Sequence, residues 1–326
     1  MSLDSDVIVD RRRIRRKLTF WRVVAAVVVL AAVVAVGVVA TPGGRASLSS
    51  SGSIARVNIE GLIRSDLERV EALERLEKSQ AAAVIVHINS PGGTTAGSEQ
   101  LYDALVRLKA KKPLVVVVEG LAASGGYIAA LASDRIIAQQ SSLVGSIGVL
   151  FQFPNFTELL KTVGVKVEEV KSSPLKAAPN GFEPTSPEAR AALDALVKDS
   201  YAWFRDLVKT RRAMDDAQLE KVADGRVFTG RQAVELKLID QLGDEKAAVA
   251  WLVAEKKIKS DLPVRDYKLS PRFGDLTFLR TAASITLDAL GLGTVARQIE
   301  QGGVAQAVDQ LRLDGMLALW RPAASN

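Results

Sequence analysis

Three short runs rich in β-branched residues alternate with amphipathic stretches, and this alternation constrains the fold more than any other feature of the chain. The runs are IARVNI, AVIVHIN and PLVVVVE, at 54–59, 83–89 and 113–119, with helical patterns at 62–79 and 97–110 between them. Such strand-helix-strand spacing predicts parallel strands joined by right-handed crossovers. The four consecutive valines indicate a strand that is covered on both faces. The sequence therefore predicts an α/β fold with a parallel sheet.

The rest of the pattern predicts further elements of the same kind. Two shorter strands and three helices are expected, at 134–138, 147–153, 187–211, 230–239 and 244–257. The helix at 187–211 has the clearest start, because Ser186 is a good N-cap and Pro187 is favoured at the first helical position.

An uncharged apolar run of eighteen residues, 23–40, follows a basic cluster near the N-terminus. At about 1.5 Å per residue this length just spans the hydrocarbon core of a bilayer. The preceding cations favour a cytoplasmic N-terminus, and Phe20 and Trp21 suit the membrane interface. A cleaved secretory signal ending near Ala40 is the alternative, although the apolar core of such signals is usually only about 7–15 residues long. We therefore expect an uncleaved transmembrane anchor at 21–40, with the folded part outside the cytoplasm.

Composition divides the chain into five segments. They are a basic cytoplasmic tail, the transmembrane anchor, a linker rich in Gly and Ser, an α/β domain and a C-terminal helical extension of open role, at 1–20, 21–40, 41–53, 54–260 and 261–326. The extension could pack on the domain, mediate assembly or lie on the membrane surface.

Residue counts exclude several classes of function. The chain has 43 Lys and Arg against 37 Asp and Glu, and six of the cations lie within 11–17. The remaining cations match the acids in number, so the high pI describes the N-terminal cluster and gives no support to nucleic-acid binding. There is no cysteine and only one histidine, His87, which excludes thiol nucleophiles and multi-histidine metal centres.

Three glycine-bearing segments follow predicted strands, at 89–93, 120–127 and 144–149. Open α/β sheets place their ligand sites at such strand ends. The glycines of NSPGG can bring backbone N–H groups towards a developing oxyanion, although a plain turn has the same composition. Ser124 stands at a strand-to-helix turn that can expose a nucleophilic hydroxyl, and the alternative is that it only caps the helix. Ser146, in the third segment, could position a partner side chain.

A serine hydroxyl needs a neighbouring base to become a nucleophile at neutral pH. His87 lies inside a predicted strand and alternates with core residues, which is typical of a structural side chain. A lysine can serve instead if apolar surroundings lower its pKa from about 10.4 towards 7 or 8. Lys176 in SPLKAA has apolar neighbours, whereas Lys171 lies beside two serines. Spacing alone leaves both lysines open.

Taken together in their order and spacing, six segments resemble the signal peptide peptidase A family in its short, single-repeat form. The resemblance runs from about Ile54 to Val253. It is carried by NSPGG at 89–93, AASGGYIAALASDRI at 122–136, VGSIGV at 144–149, VKSSPLK at 170–176, SPEAR at 186–190 and ADGRVFTGRQAVELKLID at 223–240.

This resemblance implies an α/β fold of the crotonase and Clp-protease type, in which residues 54–260 form a Ser-Lys serine protease domain. Ser124 matches the family's nucleophile and Lys176 its general base, which decides between the two lysines. Three more positions match residues of the family's site, two as oxyanion-hole amides and one as a serine that orients the base: Gly93, Gly125 and Ser146. The segment between Lys176 and Ser186 is longer and more irregular than the family pattern, which leaves its loop geometry open.

The resemblance also implies the partners of the chain. It requires no cofactor, metal or nucleotide, and its substrates are hydrophobic peptides at the membrane, above all signal peptides already cut from preproteins. Family members of this short type form homo-oligomers whose sites combine serine and lysine from neighbouring protomers. The location implied is the bacterial inner membrane, with the catalytic domain on the extracytoplasmic side.

Three alternatives compete with this reading. A general membrane-protein quality-control protease would share every catalytic residue. A non-catalytic scaffold could keep the fold, although all the candidate site positions are present together. An acyl-CoA enzyme of the crotonase type also uses paired backbone amides, but the anchor and Ser124 argue against it.

Overall fold

The computed structural model describes residues 52–269 and the backbone of residues 317–319. The strands are β1 (Ile54–Ile63), β2 (Ala83–Thr94), β3 (Leu114–Ala123), β4 (Arg135–Ala138), β5 (Leu143–Gly145), β6 (Val227–Thr229), β7 (Gln241–Leu242), β8 (Val264–Asp266) and β9 (Leu317–Leu319). The helices are α1 (Leu67–Glu77), α2 (Thr95–Lys109), α3 (Gly125–Ala130), α4 (Thr157–Thr162), α5 (Pro187–Arg211), α6 (Asp216–Glu220), α7 (Gly230–Glu235) and α8 (Glu245–Lys256).

One sheet contains all these strands, in the order β6-β5-β3-β2-β1-β8. Off this path, β4 pairs with β3, β7 pairs with β4, and β9 pairs with β2. The central pairs are parallel, as the crossovers predict. The predicted parallel sheet is confirmed only in part, because β5–β6 and β2–β9 pair antiparallel. The sheet is therefore mixed.

β3 divides the sheet into two branches. Its first half, Val115–Val118, pairs with β4, and its second half, Leu121–Ala123, pairs with β5. The sheet thus branches where β3 passes from one partner to the other, and the C-terminal end of β3 lies beside β5.

Helices cover both faces of the central strands, as the run of valines predicts. Val116 and Val118 pack in the large core with α1, α2, α3 and α5, while Val115 and Val117 pack with Ala248 and Leu252 of α8. All four valines are completely buried. Burying a side chain of this size contributes about 1.5–3 kcal/mol, so these strands form the most stable part of the domain.

Local signals place the helices where the sequence predicts them. The Ser186 side chain accepts a hydrogen bond from the Ala189 N–H at 3.1 Å, and Pro187 is the first residue of α5. The predicted strand at 147–153 is wrong, because the strand of this region is β5, at Leu143–Gly145. The NSPGG segment also differs from the prediction, since it continues β2 instead of forming a loop after it.

Among residues 52–269, no helix is both long enough and apolar enough to span a bilayer. The predicted tail, anchor and most of the linker, at 1–51, lie outside the described residues. Most of the predicted C-terminal extension also does. Its first described strand, β8, joins the sheet by pairing with β1.

Candidate active site

Ser124 occupies a sharp turn between β3 and α3. Its φ is +53°, a backbone conformation that residues with a side chain rarely adopt. The turn is held by β5, because the Ser124 N–H donates to the Gly145 carbonyl at 2.7 Å. A rare backbone conformation that the surrounding structure enforces is a feature of functional turns.

The hydroxyl of Ser124 is not used to cap α3. Ser124 stands at the N-cap position but makes no side-chain capping bond, so the interpretation as a simple helix cap is wrong. Its Oγ instead donates to the Gly148 carbonyl at 3.5 Å, a long and therefore weak contact. The residue is only 1% exposed, more buried than a nucleophile at an open turn would be. The hydroxyl is thus sheltered and weakly held.

The two glycines predicted to form the oxyanion hole are both buried close to this turn. Gly125 begins α3, and the first N–H groups of a helix lack an intrahelical acceptor. Gly93 lies near the end of β2, packed so closely on β1 that a Cβ would lie 1.7 Å from the Ile63 carbonyl oxygen. No other residue type fits at Gly93 without moving the backbone.

Ser146 follows the residue that holds the nucleophile turn. It is buried, with φ of +52°, and its N–H donates to the Arg226 carbonyl at 2.8 Å. Gly145, its neighbour, accepts the Ser124 N–H. The structure therefore places Ser146 beside the turn at Ser124, and its predicted contact with a lysine stays a prediction.

Lys176 is not brought to this site by its own chain. It is exposed, and within residues 52–269 its side chain makes no hydrogen bond or ion pair. Its N–H donates to the Ser173 carbonyl at 3.1 Å in a local turn, and the following Ala177 has φ of +58°. Serine and lysine are therefore not joined within the described part of one chain.

Lys171, the rival lysine, is already paired. Its ammonium group contacts Glu169 at 2.8 Å and also binds Glu183. The hydrogen bonds to Glu169 and then Glu183 raise the pKa of Lys171 above its usual value. A lysine held in its charged form cannot accept a proton, so the geometry disfavours Lys171 as a base.

His87 is engaged on the face of the sheet that α8 covers. Its Nδ1 lies 3.1 Å from Glu119, and its Nε2 lies 2.8 Å from Glu245 of α8. Arg56 binds Glu245 with two nitrogens, and this contact lowers the pKa of the Glu245 carboxyl. Sequence reasoning missed this ion-pair cluster because Arg56 and Glu245 are far apart in the chain. Both nitrogens of His87 have carboxylate partners, which supports a structural role.

Sequence reasoning also missed the many exposed apolar side chains in the part of the chain that contains Lys176. Among the described residues, the exposed large hydrophobic side chains, apart from Leu67, all lie between 150 and 196: Leu150, Phe156, Leu159, Val163, Val165, Val167, Val170, Leu175, Phe182 and Leu196. We call residues 150–186 the lysine segment. The alternating valines at 163–167 are the signal that could have revealed it, since the structure forms no strand there.

Comparison with known proteins identifies the family. The family profile of Peptidase family S49 matches residues 106–259, and that of Clp protease matches residues 62–144. A Synechocystis sp. protein named as a protease is 37% identical over 205 residues, which cover 62% of this chain and 74% of that protein. The chain belongs to peptidase family S49.

As an S49 peptidase the chain is a serine protease, with a Clp-protease-like α/β fold. An Enterococcus faecium protein named as a signal peptide peptidase is 33% identical over 198 residues, covering 60% of this chain and 57% of that protein. The chain thus matches about half to three quarters of the length of these relatives. Among solved structures, a ClpP1 mutant from Listeria monocytogenes is 16% identical with a TM-score of 0.40, covering 58% of this chain and 91% of that chain.

Proposed function

We propose that this S49 peptidase cleaves hydrophobic peptides at the membrane, chiefly remnant signal peptides, through a Ser-Lys dyad of Ser124 and Lys176. The observation that carries the dyad is the hydroxyl of Ser124, which is held in a rare turn conformation and is not used by the helix it precedes. Lys176 supplies the base in this proposal because Lys171 and His87 are already bound to carboxylates.

The reaction follows from these groups. Neutral Lys176 accepts the proton of the Ser124 hydroxyl, and the oxygen attacks the carbonyl carbon of the scissile peptide bond. The N–H groups of Gly93 and Gly125 bind the oxyanion of the tetrahedral intermediate. The proton passes from Lys176 to the leaving amine, which departs and leaves an acyl ester on Ser124. A water molecule, deprotonated by Lys176, then hydrolyses the ester and releases the acid product.

The lysine comes from a neighbouring copy of the chain in this proposal. Two observations support it: Lys176 is exposed, and it lies in the lysine segment, whose apolar side chains face solvent. Large exposed apolar surfaces are typical of protein interfaces. An apolar interface is also the kind of surrounding that keeps a lysine neutral. The chain would therefore be active only as a homo-oligomer.

The substrate binds as an extended strand along β2. At Gly92 and Gly93, β1 occupies one edge of β2, and β3 leaves the other edge after Ser90. The backbone of β9 pairs antiparallel with Gly92–Thr94 there, so this edge can accept an extended peptide. Strand addition of this kind binds main-chain groups and tolerates different sequences.

Hydrophobic peptides fit the remaining features. The anchor proposed at 21–40 would hold the domain on the extracytoplasmic side of the bacterial inner membrane, where cut signal peptides remain. The Enterococcus faecium relative is named for this activity. We also propose, from the resemblance of the sequence to its family, that the α/β fold is of the crotonase type.

The test is hydrolysis of a fluorogenic hydrophobic peptide by the full chain in detergent micelles. Ser124→Ala and Lys176→Ala are each expected to abolish cleavage, while a mixture of the two variants recovers part of it, because one copy supplies the serine and another the lysine. His87→Gln is the control and is expected to keep wild-type activity.

Retained activity in Ser124→Ala or Lys176→Ala would rule out the dyad. An inactive mixture, with both variants folded and assembled, would show that the two residues act within one chain. Loss of activity in a folded His87→Gln would instead point to the imidazole as the base.

A further inference from the structure

Ser90 is a completely buried serine to which the sequence assigned no role of its own. Its Oγ donates to the Gly61 carbonyl of β1 at 2.7 Å and accepts the N–H of Gly92 at 3.1 Å. A hydroxyl offers one donor and two acceptor positions, and the Ser90 hydroxyl uses its donor and one acceptor position on backbone groups. Ser90 thus joins β1 to the irregular stretch of β2 that leads into Gly93.

The hydroxyl lies where the pairing of β1 with β2 is irregular. Glu60 pairs with Asn89, but Leu62 pairs with Gly92, so two β2 residues stand against Gly61 alone. One of these two is Pro91, which has no N–H to donate. The Ser90 hydroxyl bridges this interruption from the side chain, because it bonds a carbonyl of β1 and an N–H of β2.

Ser90 also contacts the helix that carries the nucleophile turn. A Cβ at Gly126 would lie 2.7 Å from the Ser90 carbonyl oxygen and 3.2 Å from its Cβ, so α3 packs directly on Ser90. Gly125 precedes Gly126, and Gly93 lies three residues after Ser90. Ser90 therefore packs against the helix that begins at Gly125 and bonds the residue that precedes Gly93.

We propose that Ser90 is a positioning residue for peptide hydrolysis. Its hydroxyl holds the N–H of Gly92 and so fixes the backbone that directs the next N–H, that of Gly93, at the oxyanion. This inference rests on the proposed function, because it takes Ser124 as the nucleophile and Gly93 as an oxyanion donor. The hydroxyl touches no reacting atom and acts through the backbone. Its removal leaves the buried N–H of Gly92 without its acceptor and frees this stretch of β2 to move.

Because the oxyanion forms only in the transition state, a misdirected donor lowers kcat and leaves KM nearly unchanged. Ser90→Ala is therefore expected to lower kcat about 10- to 100-fold, somewhat less than deleting an oxyanion donor, which costs about 10²- to 10³-fold. A peptide aldehyde, which forms a tetrahedral adduct on Ser124, should bind weaker by the same factor as the loss in kcat/KM.

The experiment measures kcat and KM of the full chain in detergent micelles, per Ser124 labelled by a fluorophosphonate. The matched control is Ser142→Ala, which removes another buried hydroxyl that donates to a backbone carbonyl, that of Val118 at 2.8 Å. The control is expected to keep a kcat near that of wild type, because the Ser142 hydroxyl bonds Val118 and neither Gly92 nor Gly93. Equal kcat values for the two variants would overturn the proposal.

Two further measurements keep the outcome decisive. If Ser90→Ala does not fold, Ser90→Cys keeps the volume with a weaker donor and should give an intermediate kcat; a wild-type kcat would refute the role. Hydrogen exchange needs no activity: amides of 89–94 should exchange faster in Ser90→Ala than in Ser142→Ala, and equal exchange contradicts the proposal.

Cleavage by Ser124→Ala, or an inactive wild type, refutes the proposed function first and the catalytic part of this inference with it.

Discussion

Ser124 and Lys176 lie in regions of opposite character. The nucleophile region, built from the ends of β2 and β3 with α3 and β5, is buried and held by backbone hydrogen bonds such as that from Ser124 to Gly145. The lysine segment, 150–186, exposes its apolar side chains and contains one short helix, α4.

Under the proposed dyad, this difference separates the half of the site that one chain forms alone from the half that a neighbouring copy supplies. Buried apolar contacts stabilise the nucleophile region, which therefore has its geometry before any partner binds. The apolar side chains of the lysine segment gain nothing while water surrounds them. We infer that one half of the site forms with the fold, while the other half needs a covering surface.

The largest expected effect separates the two lysines of the lysine segment. Lys176→Met should lower kcat/KM by about 10³-fold or more, as loss of a catalytic base does in other serine proteases. Lys171→Met removes a lysine that is bound to Glu169 and Glu183, and it should cost less than about tenfold, since exposed ion pairs contribute little. Steady-state kinetics decide, and a greater loss in Lys171→Met would reverse the assignment.

A second prediction compares glycines from the two regions. Gly93→Ala places a Cβ 1.7 Å from the Ile63 carbonyl oxygen, so we expect it to lower the free energy of unfolding by about 3 kcal/mol or more. Gly164→Ala has no atom within 4 Å of its new Cβ but has φ of +72°, which costs about 1–2 kcal/mol. Chemical denaturation measures both, and equal losses would mean that the nucleophile region is no more rigid than the lysine segment.

The third prediction concerns the apolar surface. Val170→Asp alters a fully exposed valine and should leave the unfolding free energy of the chain within about 0.5 kcal/mol of wild type. It should nevertheless weaken assembly, measured by analytical ultracentrifugation in detergent, and activity should fall in parallel.

The matched control is Leu67→Asp, which changes another exposed apolar side chain, at the start of α1 and outside the lysine segment. Assembly should survive this change. Dissociation by both variants, or by neither, would contradict an interface formed by the lysine segment.

The smallest expected effect concerns the ion-pair cluster on the face of the sheet that α8 covers. Its members are Arg56, His87, Glu119 and Glu245. Arg56, and then His87, hold the pKa of Glu245 below its usual value, so the stabilisation is present above the unfolded-state pKa of about 4.3 and is lost as the pH falls through the lower folded-state pKa. Glu245→Gln should cost about 1 kcal/mol at pH 7. The gap from wild type should close towards pH 3 in denaturation experiments, and a constant gap would exclude this origin. Peptide cleavage at pH 7 should be unchanged.

The sequence predicts the parts of the molecule whose signals are local. The three β-branched runs lie in β1, β2 and β3, and Ser186 with Pro187 predicts the start of α5 because capping depends only on adjacent residues. The turn at Ser124 was also predictable, since a serine among small residues between a buried strand and a helix is typical of a turn that exposes a hydroxyl.

The remaining features depend on distant residues. The NSPGG segment reads as a turn because Pro and Gly usually end strands, but the Ser90 hydroxyl bonds Gly61 of another strand and lets β2 continue. The ion pair between Arg56 and Glu245 has no local signal. The apolar covering that the proposed role of Lys176 requires is not supplied by residues 52–269 of the same chain.

The left-handed backbone of Ser124 has a consequence for how this protein can change by mutation. A side chain at φ of +53° costs about 1–3 kcal/mol that glycine would not incur. Ser124→Gly should therefore unfold at higher denaturant concentration than wild type, and under the proposed mechanism it should cleave nothing. Stability alone would favour losing the serine, so under the same proposal selection for the reaction keeps it, and inactive copies of such a gene should drift towards glycine at this position.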